Sequence, residues 1–158
     1  MSGFALAAQG ARDILITNNF PAPATRVFEA LTRPELIRRW MLGPPGWTLA
    51  LCKTNPVPGG EFRYLWHNEG GEEQGMSGSY QTVDPPHRLV HVERFDRMPE
   101  DSQTTITSEL TEIEGRSTTL RATIHYATPE ARDAMLATDM ASGVRASYDR
   151  LAAILAES

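Results

Sequence analysis

The chain has 158 residues, a formal net charge of -5 and one cysteine, Cys52. That length suits a single domain with a core large enough to enclose a cavity. The acidic balance argues against a nucleic-acid footprint, one cysteine excludes an intrachain disulfide and a cysteine-based metal site, and no apolar run approaches the roughly 20 residues of a membrane span.

Residues 1–12 are Ala- and Gly-rich, with no basic stretch before an apolar core. They do not read as a secretory signal, so a cytoplasmic location is the default expectation. They are expected to form a flexible arm ahead of one domain over residues 13–158. Asp13–Phe20 is β-branched and apolar enough for a strand, and Pro21 and Pro23 stop it. Ala24–Thr32 places Val27, Phe28 and Leu31 at helical spacing. Pro34 opens a second short helix carrying Leu36, Ile37 and Trp40, and Gly43-Pro44-Pro45-Gly46 ends it.

From Trp47 the pattern turns to strands. Trp47–Thr54 is the first. Glu61–His67 alternates, with Phe62, Tyr64 and Trp66 on one face and Glu61, Arg63 and His67 on the other. Gln74–Val83, Arg88–Phe95, Gln103–Ile113 and Ser117–Tyr126 follow. Their connections are short enough for hairpins, so the sheet is expected to be mostly antiparallel. Gly59-Gly60 and Gly70-Gly71 read as turns, because neither opens a helix as a phosphate loop does. Thr128 as N-cap and Pro129 at the first position start a final helix that spacing carries to Ala156. Leu136, Met140, Val144, Ser147, Tyr148, Leu151, Ile154 and Leu155 form its apolar stripe, with Arg145, Asp149 and Ala152 opposite. The expected architecture is α+β: a curved, seven-stranded sheet gripping one long C-terminal helix, with two short helices as a roof. A curved sheet cannot lie flush along a whole cylinder, so a cavity is expected between them.

Several motifs then carry a resemblance. They are Phe20-Pro21-Ala22-Pro23 with Val27-Phe28, Pro34-Glu35-Leu36-Ile37-Arg38-Arg39-Trp40, Gly43-Pro44-Pro45-Gly46-Trp47, and Pro58-Gly59-Gly60 before Phe62-Arg63-Tyr64. Further on come Gly78-Ser79-Tyr80, Pro85-Pro86-His87-Arg88-Leu89-Val90, Pro129-Glu130-Ala131-Arg132-Asp133 and Ser147-Tyr148-Asp149-Arg150-Leu151. Over about Asp13 to Ala156 the chain resembles the helix-grip START/Bet v 1-like superfamily. Within it, the chain is similar to single-domain bacterial proteins related to the C-terminal domain of the Hsp90 ATPase activator. The resemblance implies a helix-grip fold and, among functions, small-molecule carriage, aromatase/cyclase chemistry or a co-chaperone role. It also favours Leu89, His91, Glu93 and Phe95 facing inward, and relatives often carry an aromatic residue where this chain has His91. The eukaryotic activator has a separate N-terminal domain important for activation. The length of this chain is expected to leave no room for one, which places an Hsp90 partnership last of the three.

The leading expectation is a small apolar or aromatic ligand, held by Trp40, Trp47, Phe62, Tyr64, Trp66, Met76, Tyr80, His91, Glu93, Met140, Gly143, Val144 and Ser147. The aromatic stripe could equally fill the core, because protein interiors avoid voids. His91 and Glu93 share one strand face and would make a proton-transfer pair if they face inward; Val90 and Val92 are the competing inward pair. Gly143 in a helix needs either a closely packed strand aromatic or room for a ligand. Ser147 can bond its own helix backbone and is not read as a nucleophile. His125, His67 and His87 read as surface residues. The scattered histidines match no metal-binding spacing, and no metal, nucleotide or other cofactor is expected. Cys52 reads as a buried thiol. A free sheet edge would allow a homodimer.

Overall fold

The computed structural model describes residues 3–157. Strand β1 (Ala5–Gln9) is followed by β2 (Asp13–Phe20), α1 (Ala24–Thr32), α2 (Pro34–Trp40), β3 (Trp47–Thr54), β4 (Glu61–Asn68), β5 (Glu73–Asp84), β6 (Arg88–Phe95), β7 (Thr104–Ile113), β8 (Ser117–His125), α3 (Pro129–Leu136) and α4 (Met140–Leu155). The strands form one antiparallel sheet in the order β1-β2-β8-β7-β6-β5-β4-β3.

Three expectations need correction. The sheet has eight strands, because residues 5–9 of the expected arm pair with β2. Ala5-Leu6-Ala7-Ala8-Gln9 carries too little apolar contrast to mark a strand, but a ladder of main-chain hydrogen bonds needs none. Gly10 (φ 58°) turns the hairpin, and Arg132 of α3 fastens that turn by donating to the carbonyls of Gly10 (3.1 Å) and Asp13 (2.8 Å). The expected long C-terminal helix is also two helices. The Thr128 cap forms as expected, accepting from the Ala131 amide at 3.0 Å. The helix then breaks at residues 137–139, where the Thr138 hydroxyl bonds back to the Met135 carbonyl and competes with helical pairing. Arg145, expected on the face away from the sheet, lies over the Phe4 ring at 4.5 Å, and Ala152 is partly buried against the core.

Pairing aligns the inward side chains into rows across the sheet. One row runs Ile14, Ile124, Ile106, His91, Tyr80; the next runs Ile16, Ala122, Ser108, Leu89. Two bulges interrupt the register, one residue inserted at Ala50 in β3 and one at Gln81 in β5. Each keeps residues three apart on the same side: Leu49 and Cys52 are both buried, and Tyr80 and Val83 both meet the core.

The C-terminal half of α4 closes the core. Leu151, Ile154 and Leu155 are buried in one cluster with Phe20, Val27, Phe28, Ile37 and Trp40. The start of α1 is tied to the sheet by the Glu112 carboxylate, which accepts from the Ala24 amide at 2.8 Å and replaces the side-chain cap that Pro23 cannot supply. The N-terminal half of α4 leans on the β2 side of the sheet, where Met140, Val144 and Tyr148 pack against the cluster of Ile14, Ile16, Ala122 and Tyr126, and it leaves space over the strands beyond.

Candidate ligand cavity

The space under that half-helix is a cavity of about 520 Å³, within the range of small-molecule sites. All thirteen residues expected at the site line it: Trp40, Trp47, Phe62, Tyr64, Trp66, Met76, Tyr80, His91, Glu93, Met140, Gly143, Val144 and Ser147.

The aromatic wall is built by β4. Phe62, Tyr64 and Trp66 are buried along one face, with Phe62 and Tyr64 stacked at 5.1 Å and Tyr64 edge-on to Trp66 at 5.8 Å. Opposite Phe62 on β5 stands Gly78. A Cβ there would lie 2.2 Å from the Phe62 ring and 2.1 Å from the Val92 carbonyl, so only glycine lets the ring lie flat across β5. The roof is held by indole and guanidinium donors. Trp66 Nε1 donates to the Met41 carbonyl at 2.9 Å, Trp40 Nε1 to the Ala30 carbonyl at 2.8 Å, and Arg150 to the Gly43 carbonyl at 2.9 Å. Gly143 faces the cavity with nothing within 4 Å of a Cβ placed there. The closely packed aromatic weighed as an explanation for this glycine is therefore absent, and open space takes its place.

The register resolves the ambiguity in β6. His91 pairs with Tyr80 and Glu93 with Gly78, both inward positions, so the imidazole and carboxylate enter the cavity. His91 Nε2 and Glu93 Oε1 are 2.8 Å apart, and both side chains are largely buried. Facing a carboxylate, Nε2 carries the hydrogen of this bond. Two buried side chains hold polar atoms without a protein partner among the described residues: the Asn18 amide and Nδ1 of His91. The Tyr80 hydroxyl hydrogen-bonds Thr54.

Spacing alone missed other parts of the lining. Ile16, Ala122, Ser108 and Ile106 floor the cavity from β2, β8 and β7, and Tyr148 closes it from α4. Their signal was present as the inward alternation of those strands. Tyr148 lies edge-on to Phe20 at 5.5 Å. Among the other histidines, His125 lies on the exposed side and meets Asp13, and His67 meets Glu73 at the surface. Cys52 is buried, which raises its thiol pKa. No cluster of three or more His, Cys, Asp or Glu side chains that could hold a metal ion occurs among the described residues. No helix of the described residues is long and apolar enough to cross a membrane.

Burial also raises the phenol pKa of every tyrosine: Tyr64 well above its ordinary value, Tyr126 to about 12, and Tyr80 and Tyr148 upward. The chain has four tyrosines in all. An acid with a raised folded pKa keeps its proton where the unfolded chain releases it. The stability that depends on these phenols is complete below the unfolded value and falls as pH rises above it. Absorbance titration should therefore show no tyrosinate step at the ordinary value of 10 in the folded protein. Ionisation should come at higher pH, together with unfolding seen by circular dichroism. A phenol titrating at its ordinary pKa in the folded state would contradict this burial.

A curved antiparallel sheet closed over a C-terminal helix, with an internal aromatic cavity, defines a helix-grip protein of the Bet v 1-like class. The family described as "Activator of Hsp90 ATPase homolog 1-like protein" matches residues 21–156. The chain belongs to that family. A crystal structure of a protein from Rhodobacter sphaeroides is 33% identical, covers 98% of this chain and 99% of that one, and superposes with a TM-score of 0.90. A Mycobacterium smegmatis protein is 22% identical, covers 98% of this chain and 97% of that one, and has a TM-score of 0.84. An Hsp90 activator from Plasmodium falciparum is 22% identical over 72% of each chain, with a TM-score of 0.57. The last two likenesses are of fold. Among proteins with curated functions, none matches this chain.

Proposed function

We propose that the protein binds a small apolar, aromatic molecule in the cavity between β4–β6 and the first half of α4. The observation that carries this is the unfilled volume beside Gly143. A core would have closed around an aromatic wall, yet the helix here carries its smallest residue over open space. Native mass spectrometry of freshly purified protein should show a co-purifying small molecule. Thermal unfolding should shift upward with a saturating flat apolar probe such as naphthalene, because a ligand of the folded state stabilises it by mass action. No bound mass and no shift with any apolar probe would sink this reading.

A second reading is acid–base catalysis. It is favoured by the 2.8 Å His91–Glu93 pair, which puts a carboxylate-oriented imidazole beside the ligand space. An activity that survives Glu93→Gln unchanged would exclude it. The partnership in the family's description leads to a third reading, in which the chain raises the ATPase rate of bacterial Hsp90. That effect should be insensitive to Phe62→Ala or Tyr64→Ala if it works through the surface. The cytoplasmic location belongs with these proposals.

A further inference from the structure

We infer that the cavity selects by charge: it takes a flat aromatic molecule, neutral or cationic, that carries an O–H or N–H donor, and it turns away the same ring carrying a carboxylate. This rests on the cavity being the ligand site. Glu93 is the one formally charged carboxylate in the lining, and the lining contains no Arg or Lys. Arg150 reaches the rim, where its guanidinium donates to the Gly43 carbonyl. The Glu93 carboxylate uses Oε1 on His91 and makes no side-chain hydrogen bond through Oε2 among the described residues. With one proton on the imidazole the pair sums to one negative charge, and with two it sums to zero. In neither state does the pair present net positive charge to the ligand space, and the Arg150 guanidinium at the rim is engaged with the Gly43 carbonyl.

A donor group on the ligand would meet the free Oε2, a charge-assisted bond stronger than one between neutral groups. A carboxylate would meet the same oxygen as a like charge, in a space walled by low-polarity side chains, where such juxtaposition is costly. Phe62, Tyr64 and Trp66 line the cavity, and a ring face turned to the ligand attracts a cation and not an anion. The rings set the shape, and the single carboxylate sets the sign.

The test is a matched ligand series on the full chain at about neutral pH, where a benzoic-type acid is ionised and a naphthol is not. The probes are naphthalene, 2-naphthol, 2-(aminomethyl)naphthalene and 2-naphthoate, followed by tryptophan fluorescence. The expected result is 2-naphthol at least about tenfold tighter than 2-naphthoate, with the amine no weaker than naphthalene. Glu93→Gln should bring the naphthol-to-naphthoate ratio to within about threefold, since the neutral amide removes the repulsion. If 2-naphthoate binds the unaltered protein as well as 2-naphthol, or if the ratio survives Glu93→Gln, the charge filter is wrong while naphthalene binding leaves the cavity reading standing. If naphthalene and all its derivatives fail to bind, both readings fall. The unaltered protein decides the sign without the variant, so poor folding of Glu93→Gln would not rescue the inference.

Discussion

Replacing Gly143 with leucine should cost the cavity most of its ligand uptake and leave the fold intact. The residue sits in α4, lines the cavity, and would present its new side chain to open space. Leucine is also a far better helix former than glycine, by close to 1 kcal/mol, so the backbone gains from the change. The affinity for naphthalene should fall about tenfold or more as the side chain takes the volume the probe needs. Gly143→Ala separates the two effects. It should raise unfolding stability by up to about 1 kcal/mol with a small change in affinity. Urea unfolding and fluorescence titration of both variants check this. An alanine variant that is less stable than the parent would mean that something packs closely on that glycine after all.

Trp40→Ala should be among the most damaging single changes, lowering stability by roughly 3–5 kcal/mol, in the range for a buried large aromatic. For a chain of this size that is a fall in melting temperature on the order of 6–20 °C. Trp40 is the last residue of α2 and is 5% exposed. It packs in the cluster that joins α1, α2 and α4, faces Tyr148 at 6.4 Å, and donates its indole hydrogen to α1 at the Ala30 carbonyl. One side chain thus holds two helices and part of the cavity wall. Trp40→Phe keeps the ring contact and loses the hydrogen bond, so it should cost only about 1 kcal/mol beyond its smaller volume. Calorimetry distinguishes the two. Equal losses in both variants would mean that the hydrogen bond, and not the packing, dominates.

Much of the sheet was legible because one face of each central strand is buried and period two shows through. Phe62, Tyr64 and Trp66 declare their face without help. His91 and Glu93 do not, since Val90 and Val92 offer an equally natural inward pair; the pairing with Tyr80 and Gly78 decides it. The N-terminal strand was hidden for a different reason. Its side chains are mostly alanine, and it is held by main-chain pairing, by the single apolar contact of Leu6, and by Arg132, a residue more than a hundred positions away. The helix break was hidden because the apolar stripe from Leu136 to Met140 runs across it: periodicity reports the face, and a hydroxyl bonding back to a carbonyl reports the interruption. Gly143 was read as demanding a reason, and geometry supplied which one.

The two bulges have a consequence for how this sequence can change length. Ala50 and Gln81 each act as a phase-setting residue. Beyond each of them, in-and-out order is counted from a new origin. Losing the codon for Gln81 would leave every downstream side chain of β5 chemically unchanged and send Val83 to the opposite side of the sheet unless the register slid to compensate. Substitution at either position is mild, because Ala50 and Gln81 are exposed. Deletion is severe. These strands are thus tolerant of spelling errors at their bulges and intolerant of frame errors there, and relatives that keep the cavity should vary in which residue occupies each bulge far more than in whether the bulge exists.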